Sequence, residues 1–341
     1  MREDPVFITG SYRSGTTIIS RILDAHPSLN ITYDSVNYFR FIVKKGTDAS
    51  DYHSIVDAIA DRLNARYKIV LDRLRIVEEI EGTASPVSHK AVYSAIMHAF
   101  WNYSDKRWGE KSLLEWTSIP IFLSMFSKGK AIHIVRDPRD VLVSYKHMTI
   151  EPGNRYLDSV FVNRHSFDYA LKYAKTLPPD RYYLLKYENF MGDNTAEVKK
   201  ICDFLEINFV DSMMDERNFT DQKGDPFDYR THTSFPDEWK RPVKRWKEKL
   251  NEFEVDFAEG LLWKQMQELG YELSNNFGRN RIAWIINTVD GEPLLKERMV
   301  TFLSTGTGVE FYPSDPTLAK NWGDTGVKGQ GAAAAYGKRQ D

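Results

Sequence analysis

Along the chain, short unbroken apolar runs alternate with stretches in which apolar side chains recur every three or four positions. Val6-Phe7-Ile8-Thr9 is one such run and predicts a buried strand. Ala131 to Val135 predicts a second. Tyr182 to Tyr187 predicts a third, entered from the breaker Pro178-Pro179-Asp180. A shorter strand is expected to end at Asp34. Between them the helical period dominates. Ile18, Ile19, Ile22 and Leu23 share one face of a helix over 18–26 that Pro27 ends. Further helices are predicted over 54–79, 87–103, 119–126, 141–147 and about 195–205. Strands apolar on both faces, alternating with amphipathic helices, predict an α/β fold of three layers, αβα, around a central parallel sheet.

The pattern changes after residue 275. Ile282-Ala283-Trp284-Ile285-Ile286 predicts one more strand, and beyond Thr305 the chain turns rich in Gly, Pro, Asp and Ala. We therefore expect one domain over 1–275 and a C-terminal extension over 276–341 whose tail is flexible. The length of 341 residues suits one large domain with an appendage. A net charge of −2 argues against a general nucleic-acid or membrane-surface binder. No apolar run approaches membrane-spanning length, and the N-terminus opens on charges, so a soluble, cytoplasmic protein is expected. The single cysteine, Cys202, allows neither an intrachain disulfide nor a thiolate metal cluster and reads as a core residue.

Candidate chemistry begins at the first turn. Gly10-x-x-x-x-Gly15-Thr16-Thr17 has the spacing of a nucleotide P-loop, with a strand before it and a helix after it. Successive backbone N–H groups and a helix N-terminus make a concave anion site there. Thr16 stands where a triphosphate-binding loop carries lysine. The loop therefore suits a single phosphate with little need of magnesium, and Arg13 brings a planar cation instead.

The run Phe7-Ile-Thr-Gly-Ser-Tyr-Arg-Ser-Gly-Thr-Thr-Ile-Ile-Ser-Arg-Ile-Leu-Asp-Ala-His-Pro27 resembles the 5′-phosphosulfate loop of sulfotransferases that use 3′-phosphoadenosine 5′-phosphosulfate (PAPS). It is most similar to the branch with tyrosylprotein sulfotransferases and many bacterial sulfotransferases. The resemblance spans roughly residues 5–270 and implies the P-loop-like sulfotransferase fold. It also implies PAPS as donor, 3′-phosphoadenosine 5′-phosphate (PAP) as product, and no metal. Arg13, Ser14, Gly15, Thr16 and Thr17 would then hold the 5′-phosphate.

PAPS also carries a 3′-phosphate, which the family holds with an arginine at a strand end and a serine eight positions on. Arg136 and Ser144, in Arg136-Asp-Pro-Arg-Asp-Val-Leu-Val-Ser144, match that pattern. The same stretch also suits an ordinary helix start, with Pro138 in the first turn and Asp140 against the dipole. Some relatives carry a further basic residue where Met148 stands. Tyr187 falls where the family sets a tyrosine against the nucleotide, and it equally suits a core aromatic. Trp239-Lys-Arg-Pro-Val-Lys-Arg-Trp246 resembles the loop that closes over the nucleotide, and a solvated basic helix start fits most of its residues as well.

Sulfuryl transfer needs an in-line acceptor oxygen, a base for its proton and positive charge over the oxygen that leaves. The family's catalytic glutamate maps onto Asp34. That carboxylate is about one methylene shorter, so backbone position must supply the reach. Asp34 equally suits the cap of a helix over 36–42, and Glu110 is a rival base. Lys111, in Gly109-Glu-Lys-Ser112, resembles the lysine that faces the sulfate, with Glu110 either a base or its ion-pair partner. Arg13 completes the implied catalytic set with Asp34 and Lys111. The eight histidines show no metal-ligand spacing, and His26, His133 and His147 read as helix-end, strand and surface residues. The implied partner is a small-molecule, saccharide or peptide acceptor with a hydroxyl, selected by segments 38–93 and 156–167. Two other readings stand beside this one. One is a small-molecule kinase, against which Thr16 argues. The other is a nucleotide-binding, catalytically inactive interaction module on the same fold.

Overall fold

The computed structural model describes residues 4–83, 85–146, 155–221, 223–227, 243–274 and 279–305. Its strands are β1 (Val6–Gly10), β2 (Leu29–Tyr33), β3 (Arg107–Lys111), β4 (Lys130–Val135) and β5 (Tyr182–Lys186). All pair in parallel, in the order β2-β3-β1-β4-β5. The helices of the first half are α1 (Thr16–Asp24), α2 (Tyr38–Phe41), α3 (Tyr52–Tyr67), α4 (Arg73–Glu81), α5 (His89–Phe100) and α6 (Ile119–Met125). Then come α7 (Pro138–Lys146), α8 (Asp158–Thr176), α9 (Tyr187–Gly192) and α10 (Asn194–Leu205). The last are α11 (Trp246–Lys249), α12 (Glu252–Glu268), α13 (Arg279–Asp290) and α14 (Pro293–Thr305).

Alternation along β1 builds two cores at once, because successive strand side chains point to opposite faces. Phe7 enters the cluster under α2–α6, stacked on Phe122 with centroids 5.1 Å apart and edge-on to Phe39 at 5.4 Å. Val6 and Ile8 enter the opposite cluster with Ile18, Ile19 and Ile22 of α1. Cys202 lies buried in that second cluster. The predicted three-layer α/β sandwich is thus the observed one. The order of the strands makes β1 the centre, with β3 on one side and β4 on the other, and chain segments leave these three carboxyl ends side by side. A crevice at that edge is where open parallel sheets bind ligands.

Three expectations need correction. Residues 282–286 lie in α13, not in a strand; Ile285 and Val289 are buried four positions apart, on one helical face against α8 and α12. A short apolar run does not by itself separate the two structures. The helix expected over 54–79 is two, because Lys68 turns left-handed (φ 56°) to end α3 and the Asp72 carboxylate accepts from Arg75 N to begin α4. Asp34 caps no helix; Asn37 stands at the head of α2. Within 276–341 the described residues form α13 and α14; α13 packs on α12 and α14, and α14 packs on α8 through Phe302 against Phe161 (5.1 Å) and through Arg298 to Asp158. The tail beyond Thr305, like His147, Met148 and Trp239 to Pro242, lies outside the described residues. No described helix is long and apolar enough to cross a membrane.

Candidate active site

The glycine turn begins where β1 ends. A Cβ on Gly10 would stand 2.5 Å from the Ile134 carbonyl oxygen, so only glycine lets β1 run this close to β4. The turn then folds on itself. The Ser14 hydroxyl donates to the Ser11 carbonyl (2.6 Å), and the Ser11 hydroxyl donates to Asn163 Oδ1 (3.0 Å), fastening the loop to α8. Arg13 (φ 63°) and Gly15 (φ 95°) are left-handed, a conformation that costs a residue with a Cβ about 1–2 kcal/mol. At Gly15 the space is closed too, since a Cβ there would lie 2.3 Å from the Tyr187 ring. Thr16 and Thr17 open α1, whose first-turn N–H groups have no partner within the helix and face the crevice end of the sheet.

The second predicted anchor meets the first. Arg136 follows β4 and is buried, its Nη1 donating to the Arg13 carbonyl at 3.0 Å and its guanidinium lying 4.4 Å above the Tyr187 ring. Its Nε is buried without a hydrogen-bond partner among the described groups. Arg13 Nε in turn donates to the Ser144 hydroxyl at 2.7 Å, across 131 residues of sequence. Arg13, Gly15, Arg136, Ser144 and Tyr187 therefore form one cluster. Their neighbours Asp137, Arg139 and Asp140 brace it. The Arg139 fork grips Asp137 and Glu259 and lies 3.8 Å over Trp246, while the Asp140 carboxylate accepts from Lys244 N (2.7 Å) and Trp246 N (3.1 Å). Residues 244–246, the described end of the basic aromatic segment, are thus tied to the head of α7.

On the other side of β1, Lys111 ends β3 and Asp34 follows β2. The Lys111 ammonium donates to Asp34 Oδ2, and it also lies 4.4 Å from the Tyr33 ring centre. Asp34 is left-handed (φ 47°), its N–H on the Lys111 carbonyl (3.0 Å) and its carbonyl accepting from the Tyr67 hydroxyl (2.9 Å). That backbone turn is what brings the short carboxylate onto Lys111. The Lys111 side chain is 1% exposed and that of Asp34 22%, so Asp34 is the member of the pair that solvent or a ligand reaches. Burial pushes the Lys111 ammonium below its usual range, with Asp34 pulling it back up. Glu110, one position earlier on the strand, points to the opposite face. There it accepts from the Tyr93 hydroxyl and the Asn37 N–H, and burial pushes its carboxyl up to about 7. The ion pair between Glu110 and Lys111 does not form; Lys111 pairs with Asp34.

Residues 5–211 match the Sulfotransferase family. The chain belongs to the sulfotransferase family. Sulfotransferase 2A1 of Mus musculus is 29% identical over 121 residues, 31% of this chain and 42% of that relative. Sulfotransferase 2A1 of Rattus norvegicus is 34% identical over 95 residues, 24% of this chain and 34% of that relative. The matched stretches thus span less than half the length of these curated relatives. Among solved structures, the sulfotransferase domain from the curacin biosynthetic pathway is similar with a TM-score of 0.53 and 20% identity, over 79% of this chain and 98% of that one. That likeness agrees with the fold.

The predicted site residues fall into two groups. Arg13, Ser14, Gly15, Thr16, Thr17, Arg136, Ser144 and Tyr187 line the β1–β4 side, and Asp34 and Lys111 the β2–β3 side. Sequence reasoning missed Asn163, which anchors the loop, and Tyr33, whose ring shelters Lys111. Tyr33 was legible as the residue before Asp34 at a strand end. Asn163 carried no signal, being one polar position within α8. It missed Glu115 as well, buried after β3 and paired with Arg40 (3.2 Å) and Lys44 (3.1 Å). His26 accepts the Ser28 N–H (3.1 Å) at a helix end as read, and His133 is a buried strand residue between Tyr182 and Ser166. Among the described residues no group of His, Cys, Asp and Glu is gathered as for a metal ion.

Proposed function

We propose that this chain transfers a sulfuryl group from PAPS to a hydroxyl of a small-molecule, saccharide or peptide acceptor, with Asp34 as base. The observation that carries the reading is the buried Arg136 fork, its Nε unpartnered, at the mouth of a glycine loop that has Thr16 in place of lysine. An arginine buried in this way is suited to a fixed anion, because a phosphate oxygen supplies the acceptor that Nε lacks. Arg136 and Ser144 would hold the 3′-phosphate. Residues 13–17 and the head of α1 would hold the 5′-phosphate, with Tyr187 packed against Gly15 and Arg136.

The remaining residues then have defined work. As the acceptor oxygen bonds to sulfur and the bond from sulfur to the 5′-phosphate oxygen breaks, Asp34 takes the acceptor's proton. Protonation weakens Asp34's hold on Lys111, which leaves an ammonium N–H to follow charge onto the departing oxygen. Arg13 neutralises the same oxygen from the loop. The opposite face of the strand and complete burial of Glu110 favour Asp34 over it as the base. Residues 1–275 make up this catalytic unit, and α14 braces α8 from outside it.

The test is incubation with PAPS and a panel of phenols, sugars and tyrosine peptides, read by mass spectrometry, with ATP in a parallel arm. Gain of one sulfuryl group on an acceptor, without ATP turnover, supports the reading. Turnover of ATP favours the kinase reading, and tight PAP binding with no transfer to any acceptor favours the inactive module.

A further inference from the structure

Behind the Asp34–Lys111 pair, the chain from Asp34 to Asn37 makes a turn with two left-handed residues, Asp34 (φ 47°) and Asn37 (φ 49°). Neither is glycine, so surrounding contacts must hold the geometry. They come from three elements. Tyr67 of α3 donates its hydroxyl to the Asp34 carbonyl, and Arg62, also of α3, donates to the Val36 carbonyl. After β3, Ser112 donates to Asn37 Oδ1 (2.5 Å) and Leu113 N donates to Asp34 Oδ1 (3.3 Å). Within β3, Glu110 accepts the Asn37 N–H on one oxygen and the Tyr93 hydroxyl on the other. Glu110 is the only one of these groups that bears a carboxylate on the turn's backbone. It belongs to the same strand as Lys111, so the two ends of one dipeptide reach the turn from opposite faces of the sheet.

We propose that Glu110 is a positioning residue for sulfuryl transfer: through the Asn37 amide and the Tyr93 hydroxyl it holds the 34–37 turn in the geometry that sets Asp34 against Lys111. The inference rests on the reading of Asp34 as base. A charged acceptor makes the stronger hydrogen bonds, so the clamp is tightest when Glu110 is ionised. The groups facing it are few. Tyr93 of α5 stacks on Tyr38, whose hydroxyl meets His89 Nδ1; Arg62 approaches from α3; and Asp34 lies beyond the turn. Burial raises the Glu110 carboxyl to about 7, Asp34 adding to the rise, while Tyr93, the Asn37 amide and Arg62 lower it. The clamp accordingly loosens as pH falls through neutrality, and glutamine at this position mimics the loosened state at every pH.

The experiment compares the wild type with Glu110→Gln and Asp34→Asn in the full chain. Three readouts are taken from about pH 5 to about pH 9: PAP affinity by calorimetry, the Asp34 side-chain carboxyl ¹³C resonance (assigned by its loss in Asp34→Asn), and PAPS turnover with water and the hydroxyl panel. Glu110→Gln is expected to leave PAP affinity within about twofold, because the nucleotide cluster lies across β1. It should displace the Asp34 resonance, remove from it a step centred near neutral pH, and lower kcat about 10- to 100-fold with KM little changed. The loss in kcat should shrink toward unity at the acid end, where the wild type is itself protonated. An Asp34 resonance with the same position and pH profile in wild type and Glu110→Gln overturns the proposal whatever the turnover. Wild-type turnover in Asp34→Asn overturns the base reading instead, and the resonance comparison separates the two.

Discussion

The two sides of β1 are built on opposite electrostatic plans. Toward β4, Arg13 and Arg136 come together over a glycine turn, and a buried donor on Arg136 is left without a protein acceptor. Toward β3, the Lys111 ammonium and the Asp34 carboxylate satisfy each other, and a second buried carboxylate stands behind them. The first side has donor capacity in reserve, as the proposed anion site requires. The second is neutral as a pair, and its geometry depends on contacts from α3, β3 and the chain after β3. Changes on the β4 side should therefore alter nucleotide affinity, and changes on the β3 side should alter turnover.

The largest expected effect is on the β3 side. Asp34→Asn should lower turnover about 10²- to 10⁴-fold while PAP affinity, measured by calorimetry, stays within about twofold. Next comes Arg136→Ala, which should weaken PAP about 100-fold by loss of charge-assisted bonds to the 3′-phosphate while hardly changing AMP. Parallel losses of PAP and AMP would break the division. Gly15→Ala should cost about 2–4 kcal/mol in denaturant unfolding and weaken PAP as well, since it adds a Cβ at φ 95° that presses on Tyr187.

Smallest per pH unit, and opposite in sign on the two sides, is the pH dependence of stability. His133 on β4 is buried neutral, with burial lowering it to about 3 from its ordinary 6.5. The unfolded chain takes up that proton first, so His133's contribution is complete above about 6.5 and is lost as pH falls through that window. The slope is at most about 1.4 kcal/mol per pH unit. Glu110 on β3 is raised from 4.5 to about 7, so there the folded chain holds the proton longer. Its stability contribution is complete below about 4.5 and is lost as pH rises to 7. In urea melts, His133→Gln should gain on the wild type as pH falls, and Glu110→Gln should gain as pH rises. Identical pH profiles for both variants and the wild type would remove this distinction.

The β4 side was the more legible in the sequence, because it is written locally. The strand, the glycine loop, the helix and the Arg136–Ser144 spacing each sit within about twenty residues, and their physics is that of strand ends and helix starts. The β3 side joins Asp34 to Lys111 across 77 positions, a distance at which spacing carries no signal. Adjacent residues of a strand point to opposite faces, so Glu110 and Lys111 were unsuited to pair once β3 was recognised. The C-terminal helices were misread for a different reason. Five apolar residues at 282–286 are too few to show a period, and only packing on α8 and α12 separates helix from strand.

Calorimetric titration of the wild-type chain with PAP, 5′-AMP and 3′-AMP measures the grip on both phosphates directly. The account requires PAP to bind at least about 100-fold more tightly than either monophosphate, since each lacks one of the two anchored groups. PAP and AMP of equal affinity would contradict it.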